Sequence, residues 1–341
     1  MRIVPERLHN QKLSSPDCKQ AVDVVRWLGA VQAQDFPAAK WALALRMRVA
    51  TDTVIQQAYD DGQILRTHLM RPTWHFVAPD DIRWLLDLTG PRVNANCGSA
   101  FRKFELDTAV FKRTNKVLTK ALQGGKHLTR AELRTALNRS GVAADDFIRL
   151  AHIMIRAELD GIVCSGRRAG KQFTYALLEE RVPPAKPLTR DEALVKLTTR
   201  YFTSHGPATL QDFVWWSGLT VKDAKRSVEL IDRHLRTELV DEKAYFLQRA
   251  NSSPRSSSHP AHLLPAYDEY NVAYKHREAG LGPTVIVDGK PVGAWKATAN
   301  TKTLTIAVTP TRALKKSETQ AISQAANRYA AFLGLPVHVH I

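Results

Sequence analysis

Residues 30–37, Ala30-Val31-Gln32-Ala33-Gln34-Asp35-Phe36-Pro37, stand where an amphipathic run at 21–31 gives way to a proline, and residues 64–77, ILRTHLMRPTWHFV, read as their partner. The second stretch is a strand, a turn at Arg71-Pro72 and a second strand ending on Trp74-His75-Phe76-Val77. Two carboxamides one residue apart are an unusual way to end a helix. Glutamine caps poorly beside Ser, Asp or Asn, and a core favours leucine. A neutral carboxamide both donates and accepts hydrogen bonds, so the corner either holds something polar or merely fastens a loop at the surface.

Outward from that corner, residues 16–77 read helix, helix, helix, hairpin. Ser15-Pro16-Asp17 is a helix-start signal, and Val22, Val25, Trp27 and Leu28 recur at helical spacing. Further helices are expected at 38–47 and 51–59. Three helices and a two-stranded wing are the order of a winged helix, a variant of the helix-turn-helix. The order then recurs. A helix at 80–88 and a Pro/Gly/Asn break at 90–98 lead to a basic stretch at 112–134, a capping box at Thr129 and Glu132, and a helix at 148–159. Residues 162–164 and 173–177 form a second hairpin, whose tip carries Arg167, Arg168 and Lys171.

A proline-rich linker at 181–187 precedes helices at 189–202, 209–217 and 220–231, the last two joined by Gly218, and strands at 236–248 make a third module. Residues 250–260, rich in Ser, read as a flexible loop. Beyond them, short β-branched runs at 284–287, 292–296 and 304–308, a helix at 317–332 and a strand at 337–341 suggest a small β-barrel. The expected fold is therefore α+β. Three tandem winged helices at 1–98, 99–182 and 183–250 are followed by a C-terminal barrel with a terminal helix at 261–341.

The chain's 341 residues exceed one small core and imply two or three domains. Its net charge of +16 points to polyanions, nucleic acid before membrane. Cys18, Cys97 and Cys164 lie far apart with no CxxC pair, which argues against a disulfide framework and suits a reducing cytoplasm. Met1-Arg2-Ile3-Val4 leads into polar sequence, so no signal peptide is expected, and no apolar run reaches the ~20 residues of a membrane span. A soluble, cytoplasmic protein is expected, and without a heptad or other dimer helix, a monomer.

His338 and His340 would share one strand face and Asp268-Glu269 is a carboxylate pair, but HExxH and His/Cys quartets are absent, so no metal is expected. Walker loops, GxGxxG and GxSxG are absent too, which leaves no nucleotide cofactor and no serine elbow. Arg167, Arg168 and Lys171 sit where a wing would grip phosphates, or form a solvated turn. Arg66, His68, Arg71 and His75 alternate with apolar residues and, beside Gln32 and Gln34, line a polar cleft. Trp74 belongs to the core or stacks on a base at the cleft's edge.

VQAQDF, LRTHLMRPTWHFV, LLPAYDEYNVAYKHR and VIVDGKPVGAWK together resemble the winged-helix DNA glycosylases of the AlkZ type, in the family's order and over nearly the whole chain. The resemblance implies three winged helices and a β-barrel curved around duplex DNA. It also implies excision of alkylated purines, chiefly N7-alkylguanines, including bulky natural-product adducts and interstrand crosslinks, in repair or antibiotic self-resistance. The family's catalytic Gln-x-Gln falls on Gln32 and Gln34, whereas a sister branch carries Gln-x-Asp. Alkylation at N7 already makes the purine a cationic leaving group. What remains is to position water and stabilise an oxocarbenium-like sugar, which oriented carboxamides can do. Asp35 is an alternative base that a regular backbone would point elsewhere. No catalytic lysine is evident, so hydrolysis without Schiff-base lyase chemistry is expected. The rival readings are a transcription regulator and a non-catalytic binder of damaged DNA.

Overall fold

Three times the chain lays down helices and then a hairpin whose returning strand is flanked by a short extended segment from earlier in the unit. The computed structural model describes residues 3–249 and 261–341, and the loop expected at 250–260 lies outside them. The first unit comprises α1 (Ile3–Asn10), α2 (Ala21–Leu28), β1 (Val31–Gln32), α3 (Phe36–Ala44), α4 (Asp52–Asp60), β2 (Leu65–Leu69) and β3 (Thr73–Val77), with sheet order β1-β3-β2. After α5 (Pro79–Asn96) and α6 (Gly98–Lys103), the second runs α7 (Thr108–Leu122), β4 (Leu128–Thr129), α8 (Arg130–Arg139), α9 (Phe147–Leu159), β5 (Val163–Ser165) and β6 (Thr174–Leu177). Its sheet order, β4-β6-β5, repeats that of the first.

Following α10 (Leu178–Arg181), the third unit has α11 (Arg190–Ser204), α12 (Leu210–Ser217), α13 (Val221–Ile231), β7 (Leu235–Val240) and β8 (Lys243–Gln248). Here Ala208 alone takes the flanking position, exchanging both backbone hydrogen bonds with Phe246 at 3.0 and 2.8 Å. The last segment contains β9 (Ala261–Leu264), α14 (Glu269–Val272), β10 (Thr284–Val287), β11 (Lys290–Ala299), β12 (Leu304–Pro310), α15 (Lys316–Leu333) and β13 (Val337–His340).

Threonines cap α4, α8 and α11 where the sequence suggested, whereas the Ser15-Pro16-Asp17 signal starts no helix: α2 begins at Ala21, behind Gln20. Thr129 and Thr189 each complete a reciprocal box with a glutamate three residues on. Two larger elements also differ from the sequence reading. The expected break at 90–98 is absent, because α5 continues through Gly90 and Pro91 to Asn96. Gly90 is needed for packing rather than for turning: a Cβ there would lie 3.1 Å from the Leu159 carbonyl oxygen at the end of α9. The C-terminal sheet, expected as a barrel, is among the described residues an open five-stranded sheet in the order β13-β12-β11-β10-β9. The amphipathic α15 covers its apolar face, so burial there does not require closure.

Two hydrophobic cores hold the units together. One joins α2–α4 of the first unit to the C-terminal sheet and α15. Trp41 anchors it, its indole N–H donating to the Leu263 carbonyl at 2.7 Å while its ring lies 4.9 Å from Tyr329. The second core runs from Leu65, Leu69 and Met70 of the first hairpin through α5 into the second and third units. The first hairpin therefore lies where all four parts of the chain meet. Cys18, Cys97 and Cys164 are free and buried. No helix among the described residues is long and apolar enough to cross a membrane.

Candidate active site

The Gln-x-Gln stretch is a strand rather than the helix end that periodicity suggested. Gly29, at φ +86°, stops α2, and the chain then runs extended against β3. Val31 pairs with Phe76 and Gln32 with His75, and the Ala33 N–H donates to the Trp74 carbonyl at 2.7 Å. In extended backbone, alternate side chains share a face. Val31 and Ala33 accordingly point into the core, at 1% and 0% exposure, which leaves Gln32 and Gln34 together on the opposite side. Gln32 is nearly buried and Gln34 is exposed. Asp35 caps α3, its Oδ1 accepting from the Ala38 N–H at 3.1 Å, and is exposed.

The hairpin clamps both carboxamides. Arg71 donates through Nη2 to Gln32 Oε1 at 3.1 Å, and the Trp74 N–H points at Gln34 Oε1 at 3.4 Å. Arg66 donates through Nε to the Ala33 carbonyl at 2.9 Å and lies 4.1 Å over the Trp74 ring. The structure thus brings Arg66, Arg71 and Trp74 onto the motif. Arg66 is buried and fastens the strand; Arg71 and Trp74 are half-buried. Burial pulls both guanidinium pKa values below their ordinary level. His75 lies elsewhere than the sequence placed it. It is 1% exposed, with Nδ1 2.9 Å from the Thr73 carbonyl, so its ring is enclosed beneath the hairpin and does not reach the surface. Burial, reinforced by the Arg71 charge, pushes its imidazole down to about 3 and keeps it neutral. His68 is likewise interior, its Nδ1 2.7 Å from the buried Glu158 carboxylate.

Below the motif lies the segment around α14. Tyr267, at φ +60°, turns the chain so that Asp268 and Glu269 enter the interior side by side. Asp268 receives Nη1 and Nη2 of Arg46, both at 2.9 Å, with neither partner exposed. Glu269 instead reaches β1: its Oε1 accepts from the Gln32 backbone N–H at 2.9 Å, and its Oε2 accepts from Trp216 Nε1 at 2.9 Å and lies 3.4 Å from His205 Nε2. Burial opposes its ionisation, but the His205 ring, the Gln32 N–H and the Arg71 charge hold its carboxyl below the usual range.

The third unit closes one side of the cleft. Trp216 points inward to Glu269, whereas its neighbour Trp215 is 39% exposed, with Arg277 and Arg71 5.4 and 5.9 Å from its ring centroid. On the opposite side, a cavity of about 370 Å³ opens between Trp74 and Arg66 of the first hairpin and Phe173, Tyr175, Arg130 and Lys171 of the second unit. At the second hairpin's tip, Arg167 and Lys171 are exposed, while Arg168 folds back over Phe173 at 4.4 Å. His338 and His340 lie on the exposed face of β13, and no cluster of three or more metal-ligating side chains occurs among the described residues. Sequence reading did not assign roles to Glu269, Trp215 and Arg277. For Glu269 and Arg277 the signal was the block LLPAYDEYNVAYKHR, whose charged and aromatic density is high for a loop, and for Trp215 the tryptophan pair Trp215-Trp216 before Gly218.

This molecule is a DNA glycosylase, a hydrolase of N-glycosyl bonds that acts on DNA with damaged bases. Within that class the chain belongs to the DNA glycosylase AlkZ-like family, whose model matches residues 25–332. It is 26% identical over 369 residues, spanning 98% of this chain and 97% of the relative, to a protein of Streptomyces sahachiroi described as an interstrand DNA cross-link repair glycosylase. The fold is similar to that of the solved Streptomyces sahachiroi DNA glycosylase AlkZ, with a TM-score of 0.79, 21% identity and 98% of each chain covered.

Proposed function

We propose that this glycosylase excises purines alkylated at N7, including bulky adducts and interstrand crosslinks, with Gln32 and Gln34 as its catalytic pair. The observation that carries the reading is that the two carboxamides share one strand face and are each held by the opposing hairpin. An oxygen that accepts one hydrogen bond keeps a second lone pair, which can orient water or face the sugar. Water adds to C1′, the electrons of the C1′–N9 bond leave with the purine and neutralise its cationic ring, and the proton from water passes to solvent. Carboxamides stabilise the oxocarbenium-like sugar through preorganised dipoles and without abstracting a proton, which suits a leaving group activated in advance.

The three repeated helix–hairpin units are read as winged helices spanning 1–98, 99–182 and 183–250, with residues 261–341 as a fourth domain. Arg71, Trp74, Arg167 and Lys171 would meet the duplex, and Arg66 and Arg168 would support them. The protein would act as a monomer. The relative described as an interstrand cross-link repair glycosylase, aligned along nearly the full length, supports the crosslink assignment.

The test is single-turnover release of 7-methylguanine from duplex DNA. Gln32→Ala and Gln34→Ala should each slow it by about tenfold to a thousandfold, since one lost preorganised dipole costs roughly 1.4–4 kcal/mol of barrier. A double variant that releases base at the wild-type rate overturns the assignment.

A further inference from the structure

The transition state of this hydrolysis is cationic, yet both side chains of the proposed catalytic pair are neutral and the walls around them, Arg66 and Arg71, are positive. Cationic walls draw in phosphate but oppose charge developing on the sugar, so a negative group should stand close by. Asp35 is exposed at the α3 cap, where water screens its charge, Asp268 is matched by Arg46, and Glu158 is held against His68. Glu269 is different. Its place is what sets it apart: it is fully buried directly behind Gln32, held by two N–H donors and 3.4 Å from the His205 ring, and among the described residues no arginine or lysine forms a contact ion pair with it.

That arrangement is costly for a purely structural peg. A glutamine at this position could also accept the Gln32 N–H, without the several kcal/mol that a buried, incompletely paired charge costs. In a low-dielectric interior the carboxylate's field is only weakly screened, and Gln32 is its immediate neighbour towards the cleft.

We propose that Glu269 is the positioning residue of the site. It fixes the Gln32 backbone through its N–H, and its buried negative charge makes the mouth of the cleft favourable for an oxocarbenium-like sugar. The inference rests on the assignment of Gln32 and Gln34 given above. It also explains how two neutral carboxamides can serve a cationic transition state inside a basic cleft, because the dipoles orient while the charge beneath them stabilises.

The test compares two duplexes. One carries a pyrrolidine abasic analogue, cationic at its ring nitrogen, and the other the neutral tetrahydrofuran analogue. Wild type should bind the cationic duplex tenfold or more tightly than the neutral one. Glu269→Gln should reduce that preference about tenfold and slow 7-methylguanine release by a similar factor, with neutral-duplex affinity nearly unchanged. A merely structural role would weaken both duplexes alike, and a preference retained in folded Glu269→Gln overturns the inference. Should Glu269→Gln not fold, Glu269→Asp decides, since it withdraws the charge by one methylene. A preference lowered about threefold supports the inference and an unchanged one overturns it. A wild-type protein that neither releases base nor prefers the cationic analogue overturns the catalytic reading as well, whereas loss of the Glu269 effect alone leaves Gln32 and Gln34 in place.

Discussion

Gly218, the turn between α12 and α13, presses directly on Met70 at the tip of the first hairpin: a Cβ on the glycine would lie 2.0 Å from the Met70 carbonyl oxygen. Both residues have positive φ, +69° and +59°. The third unit thereby sets the position of the Met70-Arg71 corner, from which Arg71 reaches Gln32. Gly218→Ala should therefore destabilise the fold by about 2–4 kcal/mol, combining left-handed strain with a backbone clash. It should also reduce excision beyond what the fraction unfolded accounts for. Urea denaturation alongside single-turnover kinetics separates the two effects, and a wild-type urea midpoint would contradict this contact.

Arg46 and Asp268 form an ion pair with no exposed surface, joined by Gln11, whose side-chain Oε1 accepts from Arg46 Nη2 at 3.0 Å. Removing one partner strands a charge in the interior, so Asp268→Ala should cost about 3–5 kcal/mol. Replacing both, as Arg46→Met with Asp268→Leu, should cost clearly less than Asp268→Ala alone. Chemical denaturation of the three proteins checks the ordering.

Stability should fall as pH drops from 6.5 towards 3. Burial pushes His75 and His262 down from an ordinary 6.5 to about 3, with Arg71 adding to the effect at His75 and Arg328 at His262. Above 6.5 neither state binds the extra proton and the shift contributes nothing. Below it, the unfolded chain takes up protons that the folded chain refuses, so each histidine costs up to about 1.4 kcal/mol per pH unit. His262→Asn, in β9, should flatten the dependence of the urea midpoint on pH between 6.5 and 4.5; an unaltered slope would show that the imidazole is not held neutral.

Duplex affinity should fall steeply with salt, with a slope of log affinity against log salt of roughly −0.9 per phosphate neutralised. The exposed tip residues Arg167 and Lys171 carry the sharpest expectation. Reversing both to glutamate should weaken binding to any sequence and reduce the slope, while folding stays unchanged. Arg168, packed over Phe173, is expected to matter more for stability than for binding.

Sequence alone determined the local features, because their causes lie within a few residues. Thr129, Thr189 and Thr220 announced helix starts through hydroxyls that accept from the backbone three positions on. The alternation of ILRTHLMRPTWHFV gave the hairpin, and the spacing of Gln32 and Gln34 with the surrounding blocks led to the family. Tertiary structure decided whatever depended on distant partners. A helical pattern at 21–31 ends at Gly29 because β3 offers Gln32 and Ala33 a sheet edge, and α5 runs on through Pro91 because α9 packs against Gly90. His75 is periodic with cleft-facing neighbours in sequence, yet β1 and the floor beneath it enclose the ring. Above all, Glu269 lies 237 positions from Gln32 and meets it through a single hydrogen bond, a pairing that no local pattern encodes because it exists only once the first and last parts of the chain share a core.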